Sequence, residues 1–183
     1  MLYIMRHGRT DWNNEHRLQG CTDIPLNDEG RKMAKDAVEE YKDIYLDVCY
    51  CSPLVRARET AEIFLADRDI PLIFDDRLKE MGFGVYEGFA NSFDHPDCPV
   101  NVLFFHPEAY TTPVEGGESL QELFKRTGEF IKEVVEPDLA AGKDVLIVGH
   151  GALNSAIICQ IKKRDVSEFW AEGIPNCKIQ KIL

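Results

Sequence analysis

Residues 2–8 have the sequence LYIMRHG, in which four apolar residues precede an arginine, a histidine and a glycine. Residues 145–151, VLIVGHG, repeat this pattern with a second histidine before a glycine. Short apolar runs bounded by glycine and polar residues are typical of buried β-strands. We therefore predict that His7 and His150 each lie at the carboxyl end of a buried strand.

The rest of the chain alternates between strand-like and helix-like segments. Further strands are predicted at residues 47–51, 70–74 and 177–183, helices at 27–45, 53–66, 119–135 and 151–162, and helical turns near 100–105 and 167–171. Ser52 and Pro53 are predicted as the N-cap and first residue of the second helix, and residues 8–27 as a long loop. The alternation predicts an α/β fold, a three-layer sandwich with a mostly parallel central sheet flanked by helices. Residues 78–118 are predicted to form an irregular, cap-like excursion over the site.

Length and charge limit the classes of protein that fit. A chain of 183 residues is expected to form a single domain, residues 1–183. The net charge of −11 argues against nucleic acid and anionic membranes as partners, because both select basic proteins. No run of apolar residues is long enough for a membrane span, and no secretory signal is visible. The six cysteines lack a framework spacing and predict reduced thiols in a cytoplasmic protein.

Arg6, His7 and Gly8 offer a guanidinium, an imidazole and a backbone N–H side by side. Arginine fits phosphate oxygens with two parallel N–H donors, and glycine allows a ligand to approach the main chain. A neutral histidine can attack phosphorus and form a covalent phosphohistidine that water then hydrolyses. On its own, however, such a tripeptide more often marks a polar strand end that faces solvent.

Further motifs follow this tripeptide in a fixed order. They are LQG at residues 18–20, SPLVRARETA at 52–61, LKEMGFGVYEG at 78–88, GGES at 116–119 and VGHG at 148–151. Together they resemble the histidine phosphatase superfamily, also called phosphoglycerate-mutase-like, and the resemblance extends from residue 2 to about residue 177. It implies an α/β enzyme that acts on a small phosphorylated molecule and uses neither a metal nor a cofactor.

The resemblance also implies individual roles for the residues that match its motifs. His7 would be the nucleophile that becomes phosphorylated during turnover. Arg6 and Arg56 would bind the phosphoryl oxygens, with His150 as a further hydrogen-bond donor. Glu80 would donate a proton to the leaving oxygen and then act as the base that activates water. The other predicted phosphate-binding residues are Gly8, Asn13, Gln19, Gly20 and Gly151.

Two of these assignments have rivals nearby in the sequence. Arg58 follows Arg56 by two residues and therefore faces elsewhere on a helix, where Glu62 is four positions on and predicts a surface ion pair. Glu87 competes with Glu80, but its Glu-Gly context suits a structural turn. The remaining histidines, predicted in loops or on the surface, are His16, His95 and His106.

The charge of the cap-like segment discriminates between two reactions of this family. A mutase must retain a highly anionic bisphosphate, which calls for extra basic residues over the pocket. Between Lys79 and Lys125 the chain has no lysine or arginine but eight aspartates and glutamates. We therefore predict a metal-independent phosphatase that hydrolyses a weakly charged, partly apolar phosphomonoester. The alternatives are phosphoglycerate-mutase-type transfer and a non-catalytic domain that binds a phospholigand.

Overall fold

A computed structural model describes residues 1–183 and contains a five-stranded sheet. The strands are β1 (Leu2–Arg6), β2 (Val48–Cys51), β3 (Leu72–Phe74), β4 (Val145–Gly149) and β5 (Ile179–Lys181), in the order β3-β2-β4-β1-β5. The first four are parallel, and β5 pairs with β1 in the antiparallel sense. This confirms the predicted α/β fold with a mostly parallel sheet.

The register of the two central strands determines where the histidines meet. Arg6 of β1 lies opposite Gly149 of β4, so the residues that follow, His7 and His150, leave the sheet side by side. The His7 N–H donates to the Gly149 carbonyl at 3.0 Å, and the two imidazole centroids are 5.1 Å apart. Both predicted strand ends are confirmed, and they are neighbours.

Helices cover both faces of the sheet. They are α1 (Asp11–Asn14), α2 (Asp28–Glu40), α3 (Val55–Phe64), α4 (Asn101–Phe105), α5 (Leu120–Phe130), α6 (Glu136–Ala140) and α7 (Gly151–Lys162). Alternate residues of a strand point to opposite faces. In β4, Val145 and Ile147 accordingly join the core that α5 and α7 share, whereas Leu146 and Val148 join the core of α2 and α3. The sheet thus lies between two layers of helices and shares one hydrophobic core with each, which gives the three predicted layers.

The predicted loop at residues 8–27 contains the short helix α1. Its N-cap is Thr10, whose hydroxyl accepts from the Asn13 N–H at 3.1 Å, while the Asn13 side chain accepts from the Thr10 N–H at 3.1 Å. This reciprocal pair is a capping box. A helix of four residues is too short to show an apolar period, which is why the periodicity did not reveal it.

The helix after β2 begins later than predicted. Its first residue is Val55 and its N-cap is Leu54, rather than Pro53 and Ser52. The Ser52 hydroxyl accepts at 3.3 Å from the N–H of Leu54, which precedes the first helical residue, and also lies 2.7 Å from His150 Nε2. The N–H of Val55 donates instead to Asp23 Oδ1 at 2.7 Å. The Ser-Pro sequence therefore correctly predicts a helix after β2, but it predicts the wrong first residue for that helix.

The helix predicted at residues 119–135 continues further than expected. After α5 the chain forms a π-helical turn at Ile131–Val135 and then enters α6. Pro137 stands in the first turn of α6, where a missing N–H is tolerated. None of the helices is both long and apolar enough to cross a membrane.

Residues 78–118 contain short turns and α4, which matches the helical turn predicted near 100–105. Several of their side chains are buried in the same core as α5 and α7, among them Leu78, Met81 and Leu103. This segment is therefore anchored to the main body and supplies one wall of the cavity described next.

Candidate active site

The predicted site residues surround a cavity of about 270 Å³ beyond the carboxyl ends of the central strands. Eight of the ten predicted residues line it: Arg6, His7, Asn13, Gln19, Gly20, Arg56, Glu80 and Gly151. The other lining residues are Arg17, Leu18, Phe83, Phe104, Ala152 and Trp170. This edge of a parallel sheet is where α/β proteins bind ligands.

His7 is buried and has a defined tautomer. Its Nδ1 lies 2.6 Å from the Gly8 carbonyl oxygen. Because a carbonyl can only accept, Nδ1 carries the proton and Nε2 keeps its lone pair. Burial lowers the pKa of His7 well below its ordinary 6.5, and the positive charges of Arg56 and Arg6 lower it further. His7 is therefore neutral at pH 7 and has a nucleophilic nitrogen.

Arg6 and Arg56 give the cavity its positive charge. Arg56 is fully buried, and its Nη1 and Nη2 donate to the carbonyls of Thr22 and Gly20 at 2.8 and 2.7 Å. The Nε atoms of both arginines are buried without a hydrogen-bond partner. A buried donor without a partner costs free energy, which an anion in the cavity offsets. The two guanidinium groups are thus suited to bind phosphate oxygens.

Gly20 and Glu87 shape the loop that holds Arg56. Gly20 has a φ of +56°, and a Cβ atom there would lie 2.2 Å from Glu87 Oε1, so a side chain does not fit. The Glu87 carboxylate accepts from the N–H groups of Cys21 and Thr22, each at 2.9 Å. Glu87 therefore has the structural role predicted for it, and it turns the loop carbonyls toward Arg56.

Two predicted residues, His150 and Gly8, do not line the cavity. His150 is the N-cap of α7 and fully buried, with Nε2 2.7 Å from Ser52 Oγ and Nδ1 unpaired. The Gly8 N–H donates to Thr60 Oγ1 at 2.9 Å. Contrary to the prediction, this N–H is therefore not directed at a ligand. A Cβ atom on Gly8 would lie 2.7 Å from the Gly30 carbonyl oxygen. Glycine is required at this position for packing.

Glu80 lies against the N-terminus of α7 and is 9% exposed. Its Oε1 accepts from the Met81 and Leu153 N–H groups, both at 2.9 Å, and its Oε2 from the Ala152 N–H at 3.2 Å. Ala152 and Leu153 belong to the first turn of α7, where backbone N–H groups have no partner within the helix. They hold the Glu80 carboxyl group in one orientation at the edge of the cavity.

Arg126 and Gly151 fix the surroundings of Glu80. Arg126 of α5 donates to the Glu80 carbonyl at 3.2 Å and forms an ion pair with Glu118 at 2.6 Å. A Cβ atom on Gly151 would lie 3.6 Å from Glu80 Oε2 and 3.9 Å from Arg6 Nη2, so these groups converge. No motif predicted Arg126, which is 46 residues away from Glu80 in the chain.

Asn13 and Gln19 contribute side-chain amides whose orientation is set by Thr10. The Thr10 N–H donates to Asn13 Oδ1 at 3.1 Å, and the Thr10 hydroxyl donates to Gln19 Oε1 at 3.0 Å. Because both amide oxygens accept from Thr10, the NH₂ groups are left to donate. Both residues line the cavity, where phosphate oxygens can accept these hydrogen bonds.

Aromatic side chains and Arg17 form a wall that the sequence analysis did not predict. Phe104 stacks on Trp170 with ring centroids 5.4 Å apart and an interplanar angle of 21°, and Phe83 lies 6.4 Å from Phe104. Arg17 also lines the cavity and forms an ion pair with Glu15. Phe83 and Phe104 belong to the cap-like segment at residues 78–118, whereas Trp170 lies outside it. No motif indicates which aromatic rings reach the site.

The rival residues lie elsewhere. Arg58 is 4.0 Å from Glu62 on the exposed side of α3, as predicted. The exposed histidines, also as predicted, are His16, His95 and His106. Nowhere does the chain bring together three or more histidine, cysteine, aspartate or glutamate side chains that could hold a metal ion.

Acid sensitivity of folding is expected from the two buried histidines. Burial lowers the pKa values of His7 and His150 well below 6.5. Below that pH the unfolded chain therefore binds protons that the folded chain does not. The contribution of the two histidines to the free energy of unfolding is fully present above pH 6.5. It decreases as the pH falls below 6.5, by about 1.4 kcal/mol per pH unit for each histidine.

The variant His7→Asn should remove one histidine's share of this dependence. We expect the free energy of unfolding by urea, measured at about pH 7.5 and about pH 5.5, to fall less in the variant than in the wild type. The contributions of the carboxylates cancel in this difference. An equal decrease in both proteins would contradict a neutral, buried His7.

Comparisons with known proteins identify the family to which the chain belongs. A model of the histidine phosphatase superfamily (branch 1) matches residues 2–183. The chain is 30% identical over 181 residues to phosphoserine phosphatase 1 of Hydrogenobacter thermophilus, covering 99% of this chain and 85% of that one. It is 32% identical over 164 residues to 2,3-bisphosphoglycerate-dependent phosphoglycerate mutase 2 of Gloeobacter violaceus, covering 88% and 75%.

A solved structure shows the same fold. It is the mycobacterial glucosyl-3-phosphoglycerate phosphatase in complex with VO3, with a TM-score of 0.82 and 31% identity over 97% of this chain and 90% of that one. The relatives include phosphatases and a mutase, and both activities move phosphoryl groups. With the family model matched from residue 2 to the last residue, the chain belongs to the histidine phosphatase superfamily and is an enzyme that hydrolyses or transfers phosphoryl groups.

Proposed function

We propose that this protein is a metal-independent phosphomonoesterase that acts through a covalent phosphohistidine on His7. The observation that carries the proposal is the neutral His7, whose Nε2 keeps a lone pair within a cavity that Arg6 and Arg56 make positive. Phosphoryl transfer is catalysed mainly by positioning and by stabilising charge on the equatorial oxygens. The two guanidinium groups supply that charge.

The reaction proceeds in two displacements. In the first, the Nε2 lone pair of His7 forms a bond to phosphorus, the bond to the ester oxygen breaks, and Glu80 gives a proton to the leaving alcohol. In the second, Glu80 takes a proton from water, the hydroxide bonds to phosphorus, and the phosphorus–nitrogen bond breaks. The electron pair returns to Nε2, and inorganic phosphate leaves. The amides of Asn13 and Gln19, which line the cavity, donate hydrogen bonds to the phosphoryl oxygens. His150, which is buried beside His7, donates to the phosphoryl group once that group is bonded to His7.

The charges around the cavity favour hydrolysis over mutase-type transfer. Beyond the two phosphate-binding arginines, the lining has one further arginine, Arg17, and it is paired with Glu15. The segment between Lys79 and Lys125, which supplies part of the wall, has no lysine or arginine. A bisphosphate would bring a second phosphate group with no matching cations, whereas a monoester brings one.

The aromatic wall favours an alcohol with a flat apolar portion. Phe83, Phe104 and Trp170 line the cavity beside the phosphate-binding groups. A neighbouring hollow of about 390 Å³ shares four lining residues with the cavity and adds Trp12 and Phe93. Aromatic contacts stabilise a bound ring by about 0.5–1.5 kcal/mol beyond its area burial. The leaving group of the substrate is therefore assigned to this wall.

The cysteines favour a reducing compartment. All six are free thiols, and all but Cys21 are buried. Burial raises the pKa of Cys177 to about 12, so this thiol stays protonated and inert. We therefore assign the enzyme to the cytoplasm.

A panel of phosphomonoesters assayed in EDTA tests the proposed function. We expect metal-independent phosphate release, with kcat/KM for benzyl phosphate about tenfold above that for glycerol phosphate, since one aromatic contact is worth about 1.4 kcal/mol. The two esters have similar leaving oxygens and differ in the ring. With 2- and 3-phosphoglycerate plus bisphosphoglycerate, interconversion should be slower than hydrolysis.

Each part of the proposal can fail separately. Interconversion that is much faster than phosphate release from any ester would replace hydrolysis by mutase activity. Activity that disappears in EDTA and returns with a divalent metal would contradict metal independence. Equal kcat/KM values for the two esters would remove the assignment of the aromatic wall.

A further inference from the structure

Ser52 lies directly after β2 and is completely buried. Since β2 and β4 are neighbours, its N–H donates to the Val148 carbonyl at 3.1 Å, and its side chain reaches the residue that follows β4. Ser52 Oγ is 2.7 Å from His150 Nε2. Ser52 does not line the cavity, but its side chain contacts His150, whose ring lies beside that of His7.

The neighbouring groups decide the direction of this hydrogen bond. The Leu54 N–H already donates to Ser52 Oγ at 3.3 Å. If His150 Nε2–H also donated to that oxygen, the serine hydrogen would be buried without an acceptor and Nδ1 without a donor. If the hydroxyl donates to Nε2, the Nδ1–H is the sole group left unpaired. Because every unpaired buried polar group costs free energy, the second arrangement is favoured.

His150 carries a single ring proton, so its tautomer matters. Burial and the positive charge of Arg56 lower the pKa of His150 well below 6.5. A neutral imidazole has one N–H donor, and its other nitrogen can only accept. With Nε2 bound to Ser52, Nδ1 is the nitrogen that remains for the phosphoryl group on His7, whose ring centroid is 5.1 Å away.

We propose that Ser52 is a positioning residue that holds His150 in the Nδ1–H tautomer, ready to donate to the phosphoryl group on His7. The catalytic consequence rests on the proposed function, whereas the tautomer rests on the hydrogen bonds alone. Donors that are oriented before the reaction need no reorganisation as charge develops on the phosphoryl oxygens. Ser52 thus acts on the reaction without touching the substrate.

The test compares the full-length wild type with Ser52→Ala and Ser52→Cys. Ser155→Ala is the matched control, because Ser155 is a buried serine of α7 outside the cavity. Long-range ¹H–¹⁵N correlation spectra of histidine-labelled protein distinguish protonated from unprotonated ring nitrogens, and a His150→Gln spectrum assigns the signals. We expect the His150 proton on Nδ1 in the wild type and in Ser155→Ala.

In Ser52→Ala we expect the proton to move wholly or partly to Nε2. The value of kcat should fall about tenfold, the scale of one lost hydrogen bond, while KM changes by less than about twofold. Ser52→Cys, whose thiol is a weaker hydrogen-bond donor, should have a kcat between that of the wild type and that of Ser52→Ala. A merely structural role for Ser52 would lower stability without moving the proton.

Several outcomes would overturn the proposal. A wild-type His150 with its proton on Nε2 does so directly, whatever the activity of the variants. An unchanged tautomer in Ser52→Ala, or an unchanged kcat despite a changed tautomer, does so as well. If Ser52→Ala does not fold, the His150 tautomer in the wild type and the tautomer and kcat of Ser52→Cys still test the proposal. If the wild type releases no phosphate from any ester, the proposed function fails while the tautomer prediction stands.

Discussion

Replacing His7 with alanine is expected to lower phosphate release from p-nitrophenyl phosphate by at least about 10³-fold, because loss of a nucleophile leaves only binding and charge stabilisation. The variant should still fold. His7 Nδ1 donates only to the carbonyl of the adjacent Gly8. Burial disfavours the protonated form of His7, and alanine at this position has no ionisable group. Phosphate release and the urea unfolding curve together measure both expectations.

A matched histidine variant controls for the loss of an imidazole as such. His106 is exposed and lies near Glu108 at 3.7 Å, away from the cavity. His106→Ala should therefore retain the activity of the wild type. Turnover in His7→Ala within about tenfold of the wild type would remove His7 from the nucleophile role, since an alternative nucleophile would then carry the reaction.

Replacing Glu80 with glutamine is expected to lower kcat for an alkyl phosphate by about 10²–10⁴-fold, the usual contribution of general acid–base catalysis. With p-nitrophenyl phosphate the result should differ. Its leaving group needs no proton, so phosphorylation of His7 stays fast, and only the second step lacks its base. We expect a burst of p-nitrophenol equal to the enzyme concentration, followed by slow turnover.

The control for Glu80→Gln is Glu62→Gln, which removes the same charge from the exposed pair with Arg58. It should behave as the wild type. Equal losses for the alkyl and the aryl ester, with no burst, would show that Glu80 does not donate the proton to the leaving oxygen. The glutamine side chain keeps an acceptor for Met81 and Leu153, so a folded variant is expected.

The position of the two histidines could be predicted because it depends on local patterns. Each follows an apolar run that reads as a buried strand, and the carboxyl ends of parallel strands share one edge of the sheet. The roles of Arg56 and Glu80 could be predicted only from the order of the motifs, because no periodicity in the sequence relates these residues to His7. Both line the cavity, as the resemblance implied.

The contacts that orient these groups could not be predicted, because they join distant parts of the chain. The carbonyls that hold Arg56 belong to Gly20 and Thr22, in a loop that Glu87 shapes from a third segment. The Ser-Pro signal after β2 misplaced the helix start, because the N–H of the first helical residue, Val55, donates to the distant Asp23, while the Ser52 hydroxyl contacts Leu54 and His150. Local chemistry identifies such a residue but does not choose its partner.

The phosphohistidine on His7 is the claim that a single measurement tests most directly. Phosphoryl-radiolabelled p-nitrophenyl phosphate, whose leaving group needs no proton from Glu80, is mixed with the wild type and with Glu80→Gln, the reaction is quenched rapidly in alkali, and the labelled peptide is mapped. We expect an acid-labile, alkali-stable label on the peptide that contains His7, approaching one per chain in Glu80→Gln and absent in His7→Ala. No label above that of His7→Ala, or a label on another residue, would contradict it.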